Sequence, residues 1–254
     1  LAAMVSERLG IDVTDCSVLE GDTDLTPVDL GSYSSRVTFM AGNAALEAAN
    51  KLREKLLEAV AEKLECEPGQ LSLEDGRIGL EGQPETSLDF PAAVVAAESK
   101  FGTLAFSGSY TPPKIGSRFR RQSVGPSPAY SFTAQVAEVA VNPDSGEVRV
   151  LRLLCVQDVG FAINPISVAG QIEGAMIQGL GLALMEELPH NESGGLAGES
   201  LHEYLVPTSL DMPMIDTVII EVWNPRHPFG LRAVGETVIV PPLGAIANAI
   251  YHAV

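Results

Sequence analysis

One carboxylate stands alone in a small and apolar stretch: Glu236, within FGLRAVGETVIVPPLGA over residues 229–245. Val234 precedes it and Val238, Ile239 and Val240 follow. A carboxylate among such neighbours loses hydration that something must offset, so Glu236 is a candidate for proton-transfer chemistry. Two plainer roles fit the same residues, a cap for a helix starting near Pro241 or a solvent-facing position in a tight turn. A second chemistry-bearing stretch is GDTDLTPVDLGSYSSRVT, residues 21–38. There Gly21, Gly31, Ser32, Ser34, Ser35, Arg36 and Thr38 gather backbone, hydroxyl and guanidinium donors just ahead of a helix, a setting that suits an anionic ligand. Composition alone favours an ordinary Ser-rich turn with an N-cap.

The third stretch is the helical pattern NPISVAGQIEGAMIQGLGLALMEEL. It carries Gly170, Gly174, Gly179 and Gly181, each costing about 1 kcal/mol against alanine inside a helix, which implies close approach of a ligand or another backbone. Gln171 and Gln178 lie two turns apart on one face of it, able either to read a ligand's hydrogen-bonding edge or to satisfy nearby backbone.

These stretches need a folded scaffold, and 254 residues with 46% apolar content can build one. A formal net charge of −17 argues against nucleic acid, whose phosphates require a basic footprint. The one basic cluster, Arg118, Arg120 and Arg121 in a Gly-, Pro- and Ser-rich segment, is expected to be structural or subunit-facing. Cys16, Cys66 and Cys155 are widely separated, which gives neither an iron–sulfur nor a zinc ligand set and fits a reducing, cytoplasmic compartment. The four histidines lack metal-ligand spacing, no hydrolytic triad is evident, and the dinucleotide fingerprint is missing. No run of about 18 apolar residues occurs. The start at Leu1 and the stop inside AIANAIYHAV read as cuts in a longer polypeptide.

Periodicity predicts a helix over residues 2–9 ending at Gly10, a short strand at 16–20, and a long helix over 39–64 ended by Pro68 and Gly69. A hairpin follows around Asp75-Gly76, then a helix over 90–100. Two alternating strands, TAQVAEVAVN and GEVRVLRLLCVQD, are joined by the turn NPDSG. The glycine-bearing helix spans 165–186, a polar loop 189–200, a strand 217–222, and a last helix begins near Pro241. The fold class expected is α+β, mixed sheets with long helices, as one cofactor-binding region over 1–254 that divides into two intertwined subdomains near residue 133.

Four stretches taken together, GDTDLTPVDLGSYSSRVTFMAGNAA, DVGFAINPISVAGQIEGAMIQGLGLALMEE, YLVPTSLDMP and FGLRAVGE, resemble the molybdenum-binding large subunit of the xanthine dehydrogenase, aldehyde oxidase and carbon monoxide dehydrogenase family, prokaryotic type. The four occur in that family's order and cover nearly the whole chain, which turns the Ser-rich loop from a plain turn into a cofactor loop. The resemblance implies a molybdenum hydroxylase. Its molybdopterin cofactor, as the cytosine dinucleotide, would attack an electron-poor C–H carbon through Mo–OH with hydride passing to Mo=S, and Glu236 would be the general base. It further implies that Gly31, Ser32, Tyr33, Ser34, Ser35 and Arg36 run beside the cofactor, that Gln171 hydrogen-bonds it, and that Gly235 lies beside the metal through its backbone, with no direct protein ligand to molybdenum. Iron–sulfur and FAD partner subunits would carry the electrons away. Two features depart from the pattern: Gln157 stands where many members have His, with Phe161 in place of Arg, and the earlier Gly-Gln and Gly-rich Arg motifs are not visible. The isolated chain is therefore expected to be inactive, and a non-catalytic binding or assembly role is the alternative.

Overall fold

In the computed structural model the described residues are 1–26, 28, 31–83, 85–113, 129–198 and 200–254. Arg118, Arg120 and Arg121 therefore lie outside the described residues. The chain divides into two compact units, Leu1–Lys114 and Ile115–Val254.

The first unit is built on helix α2, Val37–Leu64, flanked by α1, Ala2–Leu9. The inward stripe of α2 includes Phe39, Leu46, Ala49, Leu56 and Val60, while Lys51, Glu54 and Glu62 face solvent. This is the amphipathic period that tertiary packing rewards. Glu65 ends the helix in the left-handed conformation at φ 52°, so Pro68 opens a separate short turn, Pro68–Gln70, instead of terminating α2. Strands β1, Leu71–Glu74, and β2, Arg77–Leu80, form the expected hairpin, with both Asp75 and Gly76 at positive φ. A third antiparallel strand, β3, Ser87–Asp89, pairs with β2. Asp89 then caps α3, Phe90–Phe101, by accepting a hydrogen bond from the Ala92 amide at 2.8 Å. Leu56, Val60, Leu71, Ile78, Ala93 and Ala97 close the core between α2, the sheet and α3.

Residues 16–20 form no strand. Cys16 and Val18 are spaced as one face of a strand would be, but Val18 and its neighbour Leu19 are exposed, and no ladder partner faces them among the described residues. Alternation describes a face; a strand also needs a neighbour for its backbone groups.

The second unit is a three-stranded mixed sheet ordered β4-β5-β6. Strands β4, Phe132–Val141, and β5, Val148–Asp158, are antiparallel with a bulge between Glu138 and Val139. Helix α4, Pro165–Leu184, is capped by Asn164, whose side chain accepts from the Ser167 amide at 3.0 Å. It leads on to β6, Met214–Ile220, which lies parallel to β5 and starts three residues earlier than periodicity places it. Helix α5, Pro241–Ala253, opens with Pro241 and Pro242 and has no side-chain cap. Leu153 and Cys155 of β5, Ile172, Met176 and Leu180 of α4, Val238, and Ile246 of α5 form one core, each larger apolar side chain contributing roughly 1.5–3 kcal/mol on burial. The observed class is thus α+β with mixed sheets and long helices. No helix among the described residues is long and apolar enough to cross a membrane.

Candidate cofactor site

In the first unit the donor-rich loop reaches α2 through an unusual backbone. Ser34 and Ser35 are both left-handed, at φ 55° and 47°. Two consecutive non-glycine residues there cost about 1–2 kcal/mol each, a strain that the fold must hold in place. Arg36 returns to right-handed geometry directly before Val37, and alternation between left- and right-handed residues is the backbone pattern from which anion-binding nests are built. The Arg36 guanidinium lies 4.3 Å from the centre of the Tyr33 ring, and Tyr33 donates its amide to the Gly31 carbonyl at 3.1 Å. Gly31, Ser32, Tyr33 and Ser34 are exposed; Ser35 and Arg36 are half-buried. Donors of this kind at the positive end of a 28-residue helix suit an anion.

In the second unit α4 presents two different glycine pairs. A Cβ on Gly179 would sit 2.5 Å from a ring carbon of Pro242, and one on Gly181 2.6 Å from Pro207, so these glycines let other chain segments approach closely. Gly170 and Gly174 have nothing within 4 Å and are exposed. Gln171 and Gln178 are exposed too, and Gly174 lies three residues after the first and four before the second, on the same stripe. The result is a shelf without side-chain bulk, edged by two amides.

Glu236 sits in a turn over residues 235–239, exposed, with Gly235 half-buried beside it. The expected desolvation does not occur within this chain: Val238 turns fully into the core and Val234 packs against it, leaving the carboxylate outward. The N-cap position of α5 is held by Val240, without a side-chain hydrogen bond, and not by Glu236. The turn is tied to the sheet on both sides. Ser131 Oγ donates to the Ala233 carbonyl at 2.6 Å, and Gln135 Nε2 to the Val238 carbonyl at 2.7 Å. Arg232 pairs with Asp158 at 3.0 Å, both side chains largely buried. Upstream, His227 is buried, accepts the Phe229 amide at Nδ1, and is held by burial below the usual imidazole range. Sequence reasoning missed Arg232, Asp158, Ser131 and Gln135. The available signal was a pair of opposite charges, Asp158 and Arg232, each in an otherwise apolar run.

The first unit thus carries a strained donor loop suited to an anion, and the second an open helical surface suited to a flat ring and a carboxylate on an anchored turn. The molybdopterin cofactor-binding domain family matches residues 1–213, and the chain belongs to it, within the group of molybdenum-binding subunits of xanthine and carbon monoxide dehydrogenases. It is 33% identical over its whole length to 31% of the 6-hydroxypseudooxynicotine dehydrogenase complex subunit gamma of Paenarthrobacter nicotinovorans. Over 97% of the chain it is 32% identical to a putative xanthine dehydrogenase molybdenum-binding subunit of Escherichia coli, again covering 32% of that protein. Among solved structures, reconstituted CO dehydrogenase from Oligotropha carboxidovorans superposes with a TM-score of 0.84 at 27% identity, covering 99% of this chain and 31% of that one. The chain thus spans about a third of the length of these relatives.

Proposed function

We propose that this chain is the cofactor-binding part of a molybdenum hydroxylase in which Glu236 is the general base. The observation that carries the reading is the shelf on α4, where Gly170 and Gly174 leave open space beside Gln171 and Gln178. Flat ring systems need such a surface, and nothing in the packing of α4 itself requires glycine at those two positions. The residues present therefore fit molybdopterin. When bound, that group supplies the oxygen-transfer and two-electron chemistry at an electron-poor carbon.

The chain's own residues then have distinct tasks. Gln171 offers an amide that donates and accepts along the pterin edge, and the backbone of Gly235 allows close approach at the metal side. The loop of Gly31, Ser32, Tyr33, Ser34, Ser35 and Arg36 receives the pyrophosphate of the cytosine dinucleotide form, its amides and guanidinium meeting the negative charge. Glu236 takes up one proton at its carboxylate as the oxygen nucleophile forms its bond to carbon. Iron–sulfur and FAD subunits remove the electrons, the complex is cytoplasmic, and the chain alone is inactive.

The test is Glu236→Gln in the complete enzyme, after a screen of aldehydes, purines, other N-heterocycles, carbon monoxide and aryl-CoA thioesters has found a substrate. Molybdenum content should persist while kcat per bound molybdenum falls by about 10²- to 10⁴-fold. A ratio near one would remove Glu236 from the mechanism.

A further inference from the structure

The turn that carries Glu236 belongs to no helix or strand, so no regular ladder fixes it, yet a proton acceptor must be held within a fraction of an ångström to be useful. What fixes it is a set of side chains from β4, β5 and the segment leading into β4. On its N-terminal side Arg232 donates through Nε to the Val222 carbonyl at 3.0 Å and pairs at 3.0 Å with Asp158 Oδ2; its Nη1 donates to the Tyr130 carbonyl. Asp158 is itself held in place, because its Oδ1 accepts the amides of Gly160 at 3.0 Å and Val222 at 3.2 Å. The Arg232 amide donates to the Val159 carbonyl at 2.8 Å, so main chain and side chain of one residue grip the same strand end. On the C-terminal side Gln135 donates to the carbonyl of Val238, two residues past Glu236, while the Val238 side chain is fully buried.

We infer that Arg232 and Gln135 are positioning residues for Glu236, acting as the two ends of a clamp that sets the direction of its carboxylate. The inference rests on the reading of Glu236 as the base. Arg232 suits its end because a planar guanidinium bonds a carboxylate and two carbonyls at fixed angles, which a lysine does not reproduce. Gln135 suits the other end because its uncharged amide, half-buried on β4, reaches the Val238 carbonyl without burying a charge. Neither side chain has to touch the cofactor.

The experiment uses the complete molybdenum enzyme carrying Arg232→Met, Arg232→Lys, Gln135→Met or Glu236→Gln, with Arg152→Met as control, since Arg152 pairs with Asp216 across β5 and β6 away from the turn. Two quantities are read that need no substrate: hydrogen exchange of the amides of residues 233–240, and the electron paramagnetic resonance signal of Mo(V) after dithionite reduction. Gln135→Met, which leaves no buried charge behind, should raise exchange in that turn by about tenfold and leave β5 and α4 protected. Arg232→Met should do the same, and Arg232→Lys less. Both clamp variants should move the Mo(V) signal as Glu236→Gln does, add nothing further in the Glu236→Gln background, and differ from the unchanged signal of Arg152→Met. A signal moved by Glu236→Gln but by neither clamp variant, or exchange unchanged in both, overturns the clamp alone. A signal that Glu236→Gln does not move overturns the reading of Glu236 as the base, and the clamp falls with it.

Discussion

Replacing the four glycines of α4 one at a time by alanine should split them into two pairs of opposite sign. In a helix interior alanine is favoured over glycine by about 0.8–1 kcal/mol. At Gly170 and Gly174 nothing lies within 4 Å of the new methyl, so that gain should appear almost whole as stability of the cofactor-free protein. At Gly179 the methyl would meet two ring carbons of Pro242 at 2.5 and 2.6 Å, where ordinary contact begins near 3.4 Å. The proline is locked into the first turn of α5 and cannot rotate away. Overpacking of this kind costs about 1–3 kcal/mol, and with two rigid contacts the upper end applies, which leaves a net loss of about 2 kcal/mol after the helix gain. Urea unfolding of the cofactor-free complete subunit reads both signs. Molybdenum content of the loaded enzyme supplies the second half of the test. If the shelf receives the pterin, Gly170→Ala and Gly174→Ala should be more stable without cofactor and hold less of it. A Gly174→Ala protein that loses stability when empty, or one that fills with cofactor as fully as its parent, would refute the argument.

Three further outcomes follow from buried and partly buried titratable groups. Burial holds His227 below its ordinary value of 6.5, so above that pH folded and unfolded forms are both neutral there and no dependence arises. As pH falls below 6.5 the unfolded chain takes up the proton first, and stability declines until the folded value is reached and then levels off. His227→Gln should flatten that part of the stability–pH curve, and an unchanged slope would show that His227 is not the group responsible. Cys155 is fully buried beside Thr133, so a thiol reagent should reach Cys16 and Cys66 in the folded protein and Cys155 only on unfolding. Partial burial, with the Asp15 carboxylate adding to it, holds the Cys16 thiol above the usual range, so its reaction rate should keep rising with pH beyond where a free thiol levels off.

The long helices and the two hairpins were legible because their signals are local. The apolar period of α2, the Asp75-Gly76 turn and the NPDSG turn each specify their own geometry within a few residues. Residues 16–20 failed for the opposite reason, since strand identity depends on a partner that no local pattern announces. Strand β3 was overlooked because three residues carry too little periodicity to register. At the candidate site the residue types in the loop, on α4 and at Glu236 were readable as chemistry. Two properties were not. Apolar neighbours suggested that Glu236 is enclosed, whereas the chain reverses over residues 235–239, so that Val238 took the inside and Glu236 stayed exposed. The glycines of α4 read alike in sequence, and only the position of Pro242 and Pro207 separates packing glycines from open ones. The clamp through Arg232 and Gln135 spans about a hundred residues, a separation at which spacing carries no information.

That separation also fixes when the Glu236 turn can come into being. Ser131, Gln135 and Tyr130 hold residues 233, 238 and 232, each more than a hundred positions later in the chain. During synthesis β4 and β5 can pair as a hairpin early, and α4 can form next, but the carboxylate has no fixed direction until the last part of the second unit has left the ribosome and closed onto strands made long before. Contacts of such long range form slowly and late in folding. A nascent chain halted short of Arg232 would thus display the open glycines of α4 before the turn that carries Glu236 exists, so the surface proposed for the flat cofactor would precede the carboxylate proposed as the base.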